Sequence, residues 1–140
     1  MWYNTLMAML LRSPLHGLLS QSLLLLTYTG RKSGKRITVP VNYVRDGAVL
    51  RITSRRERTW WRNLRGGVPV RVQLRGREVS ATATIVDDAG GVAAGLRAFF
   101  ESAPQTAKYF GVARAPNGDW DAAALARAVQ DRVMIELRLD

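Results

Sequence analysis

Residues 26–43 read LTYTGRKSGKRITVPVNY, and the folding of this stretch decides the architecture. Two β-rich runs, Leu23–Thr29 and Ile37–Val44, flank a basic segment whose two glycines and serine favour a tight reversal, so the whole reads as a hairpin. The turn carries four cations in six residues, Arg31, Lys32, Lys35 and Arg36. Like charges this close repel, and a turn tolerates them most easily when a polyanion lies against it. The segment is not a P-loop. Three residues instead of four separate Gly30 from Gly34, Arg36 stands where Ser or Thr is required, and a strand follows in place of a helix. Its small concavity of backbone N–H groups, with the Ser33 hydroxyl as a further donor, suits an anion. Arginine adds two-pronged contacts to phosphate or carboxylate.

Beyond the hairpin, Asp46-Gly47 is a two-residue turn signal leading into a strand over Ala48–Thr53. Arg55–Leu64, RRERTWWRNL, reads as a helix stopped by Gly66-Gly67. Trp60 and Trp61 are adjacent there, so one is expected in the core and the other free to cover a ligand, while Arg58, Arg62 and Arg65 share a face that reads as a solvated stripe. Val68–Leu74, alternating at Val70, Val72 and Leu74, pairs with Glu78–Val86 around Gly76-Arg77. Asp87-Asp88 can cap a helix over Gly91–Phe100, with acid at its positive end. Pro104–Phe110 and Asp121–Gln130 are expected to be helical, and Val133–Leu139 alternates as a closing strand. The pattern predicts an α+β, mainly β chain: a six-stranded barrel with peripheral helices, closed so that no strand edge is left to aggregate.

A chain of 140 residues is expected to form one domain: an N-terminal helical segment over 1–20, barrel strands with one helix over 21–86, and C-terminal helices with the closing strand over 87–140. Without cysteine, thiolate chemistry and cysteine-type zinc sites are excluded, and the lone histidine, His16, reads as a surface or capping residue, so no metal site is expected. Residues 1–80 carry 15 Lys+Arg against 3 Asp+Glu, and residues 81–140 carry 6 against 8, so the net charge of +10 is concentrated in the first part. That field favours an anionic partner. No apolar run approaches the roughly 20 residues of a membrane-spanning helix. The start, MWYNTLMAMLL, lacks a secretory signal but is amphipathic, with Trp2, Leu6, Met9 and Leu10 at helical spacing. A cytoplasmic location is expected, with a weak membrane contact by this segment left open.

LLLTYTGRKSGK at 24–35, Val39-Pro-Val-Asn-Tyr43, Arg45-Asp-Gly47, Ser54 and Trp60-Trp-Arg-Asn-Leu64 together resemble the deazaflavin-dependent nitroreductase family. These are split β-barrel proteins related to flavin-dependent pyridoxamine phosphate oxidases, and the similarity spans about residues 13–86. It implies an FMN-binding split-barrel type of fold and a redox enzyme using coenzyme F420, a 5-deazaflavin whose side chain bears a phosphate and a glutamate tail. The tail would rest on the turn, at Arg31, Lys32, Ser33, Gly34, Lys35 and Arg36. Pro40, Asn42 and Ser54 would line the flat ring, the loop with Arg55 and Arg56 would frame it, and Trp60 and Asn63 match the family's Trp-x-x-Asn-Leu helix. The resemblance implies hydride transfer to a quinone, a nitro compound or an activated double bond, with Tyr109, Tyr43 or Ser54 as candidate proton donors. The chain departs from the family pattern at Arg36-Ile37, where Pro-Arg is usual, and in a shorter, arginine-rich loop before Trp60.

Two other classes stand beside the reductase. One is a non-catalytic binding protein of the same fold, holding FMN or a fatty acid. The other is a basic nucleic-acid-binding barrel, opposed by the scarcity of exposed strand aromatics for a stacking platform. Split barrels commonly pair, so a homodimer is left open.

Overall fold

The computed structural model describes residues 23–140. The N-terminal segment 1–20, expected to be helical, and His16 lie outside them. Seven strands form one antiparallel sheet: β1 (Leu23–Thr29), β2 (Arg36–Asn42), β3 (Val44–Asp46), β4 (Val49–Arg55), β5 (Val68–Leu74), β6 (Arg77–Val86) and β7 (Arg132–Leu139). Their lateral order is β2-β1-β5-β6-β7-β4-β3, and the sheet curls so that β2 packs against β4. No ladder joins the two outer strands among the described residues, so this is a half-barrel consistent with the split-barrel fold.

The sheet has seven strands, not six. Ile37–Val44 is interrupted at Tyr43, because its first part pairs with β1 (Thr29 opposite Arg36, Leu23 opposite Asn42) while Val44–Asp46 pairs with β4 at the opposite edge. One straight strand cannot reach both edges, and Tyr43 is the crossing point. The expected closed ladder is therefore replaced by a covalent link across the split. Edge strand β2 carries Pro40, which offers no N–H to a passing strand.

Alternation puts Leu24, Leu26 and Tyr28 of β1, Val70 and Val72 of β5, and Ile135 and Leu137 of β7 in the barrel core. A second core lies outside the sheet, where helices α1 (Ala89–Ser102) and α2 (Ala122–Asp131) cover Met134. On α1 the buried residues Val92, Leu96, Phe99 and Phe100 recur at helical spacing. Gly95 lets the helix approach: a Cβ there would lie 2.6 Å from Met134 Cγ.

Asp88 caps α1, its carboxylate accepting from the Gly91 N–H at 2.8 Å. Asp88→Ala is expected to cost about 1 kcal/mol, read as a fall in Tm of roughly 3–5 °C in thermal unfolding.

Two predicted helices are different. Arg55 belongs to β4, paired with Arg132, and the Arg56 N–H donates to Asp131 O, so the expected helix shrinks to a 3₁₀ turn, Trp60–Leu64. Pro104–Phe110 is likewise 3₁₀, ended by Gly111. Neither segment is long enough to amortise the cost of nucleating an α-helix.

Candidate functional site

The antiparallel register gathers the basic segments at one rim. Thr27 lies opposite Arg71, which levels the β1–β2 turn with the start of β5, while β6 ends beside the start of β7 and Arg132 faces Arg55 at the end of β4. Residues 31–36, 55–65 and 131–132 thus bring ten cations to that rim against two carboxylates of their own, Glu57 and Asp131.

The turn is built from the inside. Gly30 N–H donates to Lys35 O at 2.8 Å and Gly34 N–H to Gly30 O at 2.9 Å. Lys35 N–H donates to Ser33 Oγ at 3.2 Å and Arg31 N–H to Asn63 Oδ1 at 2.9 Å. Gly34 has φ +69°, a left-handed conformation that favours glycine. With four of its N–H groups committed, the turn offers an anion chiefly its side chains, plus the hydrogen of Ser33. Arg31, Lys32, Lys35 and Arg36 are exposed, and among the described residues none is in an ion pair.

Asn63 joins the turn to the rest of the rim. Its amide donates to Trp60 O at 2.9 Å, and Arg31 Nη1 donates to Arg62 O at 3.1 Å. Trp60 Nε1 in turn donates to Ser54 Oγ at 3.1 Å, and Ser54 donates to Arg55 O at 3.2 Å. Ser54 is only 5% exposed, with its one hydrogen already directed at a carbonyl. Trp60 lies 6.0 Å from Tyr28, whose phenol pKa is raised by burial, so that it stays protonated. Trp61 is the packed member of the pair; Arg58, Arg62 and Arg65 are exposed, as expected of a solvated stripe, and Arg62 and Arg65 also lie over the Trp61 ring at 5.5 and 5.0 Å. Arg65 also pairs with Asp87 at 3.4 Å.

Beside Arg55 opens a cavity of about 540 Å3, lined by Arg55, Arg56, Tyr109, Phe110, Asp131 and Arg132 among others. Arg56 Nη2 is held by Asp87 O at 2.7 Å and Arg132 O at 3.2 Å. Arg132 lies 4.7 Å from the Phe110 ring. Burial, then the charge of Arg55, lowers its pKa; Asp131 acts the other way. An anion here would relieve cations that repel one another.

The expected residues thus fall into connected groups. Arg31, Asn63, Trp60 and Ser54 share one hydrogen-bonded chain, and Arg55, Arg56 and Tyr109 share the cavity. Pro40 and Asn42 lie on β2, which packs on β4 across the split. Tyr109 is 74% exposed, with Lys108 Nζ 5.3 Å from its ring, whereas Tyr43 is buried in the barrel core. Sequence reasoning missed Phe110 and Arg132; the one available signal was Arg132 heading the closing strand, a position that a barrel sets beside β4. No group of three or more His, Asp or Glu placed to hold a metal, and no helix long and apolar enough to cross a membrane, occurs among the described residues.

The curled antiparallel sheet is consistent with a split-barrel fold, and one of its rims is strongly cationic. Similar folds occur in an F420H2-dependent reductase, FDR-A (20% identity, TM-score 0.53, covering 86% of this chain and 95% of that one), and in a domain-swapped dimer (19%, 0.54, 99% and 97%). A FAD- and heme-binding protein from Mycobacterium smegmatis is also similar (18%, 0.55, 86% and 62%). No curated protein matches the chain.

The model of the F420H(2)-dependent quinone reductase family matches residues 7–110, and the chain belongs to that family. It is an F420H2-dependent oxidoreductase, and its cofactor is coenzyme F420. The residues present fit such a group: a turn with four cations outside any ion pair answers an acidic tail, and the rim it shares with Arg55 also opens a cavity of about 540 Å3.

Proposed function

We propose that this chain reduces a quinone, with nitro compounds and activated double bonds as further acceptors, and that the cationic rim holds the cofactor for that reaction. Arg31, Lys32, Lys35 and Arg36 bind the phosphate and glutamate arm, Ser33 adds a hydroxyl donor, and Gly34 shapes the turn. Pro40, Asn42, Ser54 and Trp60 flank the ring at the split, with Arg55 and Arg56 beside it. When bound, reduced F420 supplies a hydride from C5; a quinone takes that hydride and one proton to become a hydroquinone.

The protein's part is to orient, exclude water and manage the proton. Trp60 and Tyr28 close the end of the barrel core with aromatic surface next to Ser54. For the proton, Tyr109 is the best placed of the three candidates. Tyr109 lines the cavity, whereas the Ser54 hydrogen is directed at Arg55 O and Tyr43 lies in the core.

One observation carries this reading: four cations outside any ion pair share a rim with the cavity. Titrating the purified protein with F420 and, separately, with FMN tests it. Saturable binding of F420, followed by quinone-dependent oxidation of F420H2, is expected. Preference for FMN, or binding without turnover, would replace it with a flavoprotein or a carrier.

A further inference from the structure

Asn63 bridges the cationic turn and the 3₁₀ segment through both ends of its amide. Its oxygen holds the Arg31 N–H, the first residue of the cationic run, and its nitrogen holds the carbonyl of Trp60. Through Trp60 Nε1 the link continues to Ser54 and the carbonyl of Arg55, at the mouth of the cavity. From Arg31 to Arg55 every step is a hydrogen bond of 2.9–3.2 Å or a residue's own framework.

The turn needs such a tie. It projects from the sheet, and its internal bonds fix its shape but not its placement. Without a tie to the 3₁₀ segment it could pivot about Thr29 and Arg36, moving its cations relative to Ser54 and Arg55 by more than the tolerance of a multi-point ionic contact. The Arg31 guanidinium reinforces the tie at Arg62 O but spends one of its own donors to do so.

We infer that Asn63 is a positioning residue for the cofactor's acidic arm: it sets the spacing between the cations at 31–36 and the ring subsite at Ser54 and Arg55, without touching the cofactor itself. This rests on the assignment of the arm to the turn. It predicts a signature that a merely structural role does not give, since disturbing Asn63 should weaken only ligands long enough to engage both subsites.

The experiment measures Kd for F420 and for a deazaflavin with the same ring but no phosphate or glutamate arm, in wild type and Asn63→Leu. Loss of both amide bonds is expected to raise Kd for F420 by about tenfold or more, with Kd for the armless ring within about twofold of wild type. Unchanged binding of the armless ring also shows that the variant is folded. If Asn63→Leu does not fold, Asn63→Ser, whose single, shorter hydroxyl replaces two separately placed amide atoms, is expected to show a smaller loss with the same ligand dependence. In a background carrying Arg31→Gln and Lys32→Gln, Asn63→Leu should cost little more, because the turn it places no longer binds. Equal weakening of both ligands, or of neither, overturns the positioning role. If wild type itself does not distinguish the two ligands, the assignment of the arm to the turn falls first and takes the inference with it.

Discussion

Arg31→Glu combined with Lys32→Glu raises Kd for F420 by about 100-fold or more and leaves Tm within a few degrees of wild type; that is the result expected of a turn whose charge is there for the ligand. Each reversal exchanges a charge-assisted contact for a repulsion, and after screening at an exposed site about 1.5 kcal/mol apiece is a conservative figure. Two of them multiply to roughly two orders of magnitude. The variant loses the exposed Arg31 guanidinium bond to Arg62 O, but the loop should keep its shape, because the Arg31 main-chain N–H still reaches Asn63 and the Gly30 and Gly34 bonds involve no side chain of either residue. Raising the salt concentration should narrow the gap between wild type and variant, as screening weakens the attraction in one and the repulsion in the other. The matched control is Arg77→Glu with Arg138→Glu, which changes net charge equally at positions toward the opposite end of the sheet. Affinity within about threefold of wild type is expected there. Should both pairs weaken binding alike, the effect is the protein's overall field and the turn has no special part in it.

The largest effect on stability is expected at Phe100→Ala. Phe100 is wholly buried in the outer core and packs against Phe110 and Trp120 at ring separations of 5.4 and 5.2 Å. Removing a buried phenyl costs about 3–5 kcal/mol, a large share of the 5–15 kcal/mol available to a domain. Thermal unfolding should show Tm lower by roughly 10–20 °C. The change should also reach the site. Phe110 walls the cavity and lies beneath Arg132, and its ring is held by Phe99 at 5.9 Å as well as by Phe100. At a temperature where the variant is fully folded, KM for the acceptor should rise. A Tyr109→Phe variant provides the contrast: the side chain is exposed, so Tm should not move, while a proton-donating role would lower kcat with KM little changed. A Phe100→Ala protein as stable as wild type would mean that the outer core is far looser than its burial implies.

Much of the architecture is written locally. Alternation in Val70–Leu74 and Val133–Leu139 marks strands because one face of each meets the core, and Asp88 and Asp121 mark helix starts because their carboxylates satisfy N–H groups that the helix cannot. The family resemblance, carried by the turn and by Trp60 to Leu64, extends this to the cofactor, and its match to the quinone reductase family covers residues 7–110. The break at Tyr43 is not local. It exists because Ile37–Asn42 and Val44–Asp46 pair with strands at opposite edges of the sheet, and no pattern within eight residues records that.

The site divides in the same way. Four cations around two glycines announce an anion from composition alone, since charge and backbone freedom belong to the residues themselves. Which cations lie together was decided only by the curled sheet. Antiparallel registry brings Arg132 beside Arg55, 77 positions apart in the chain, and Asn63, 32 positions from Arg31, ties it to the Trp60 segment. Such pairings are set by strand order and by which N–H and C=O groups remain unsatisfied once the sheet has formed, quantities that exist only when the whole chain is folded.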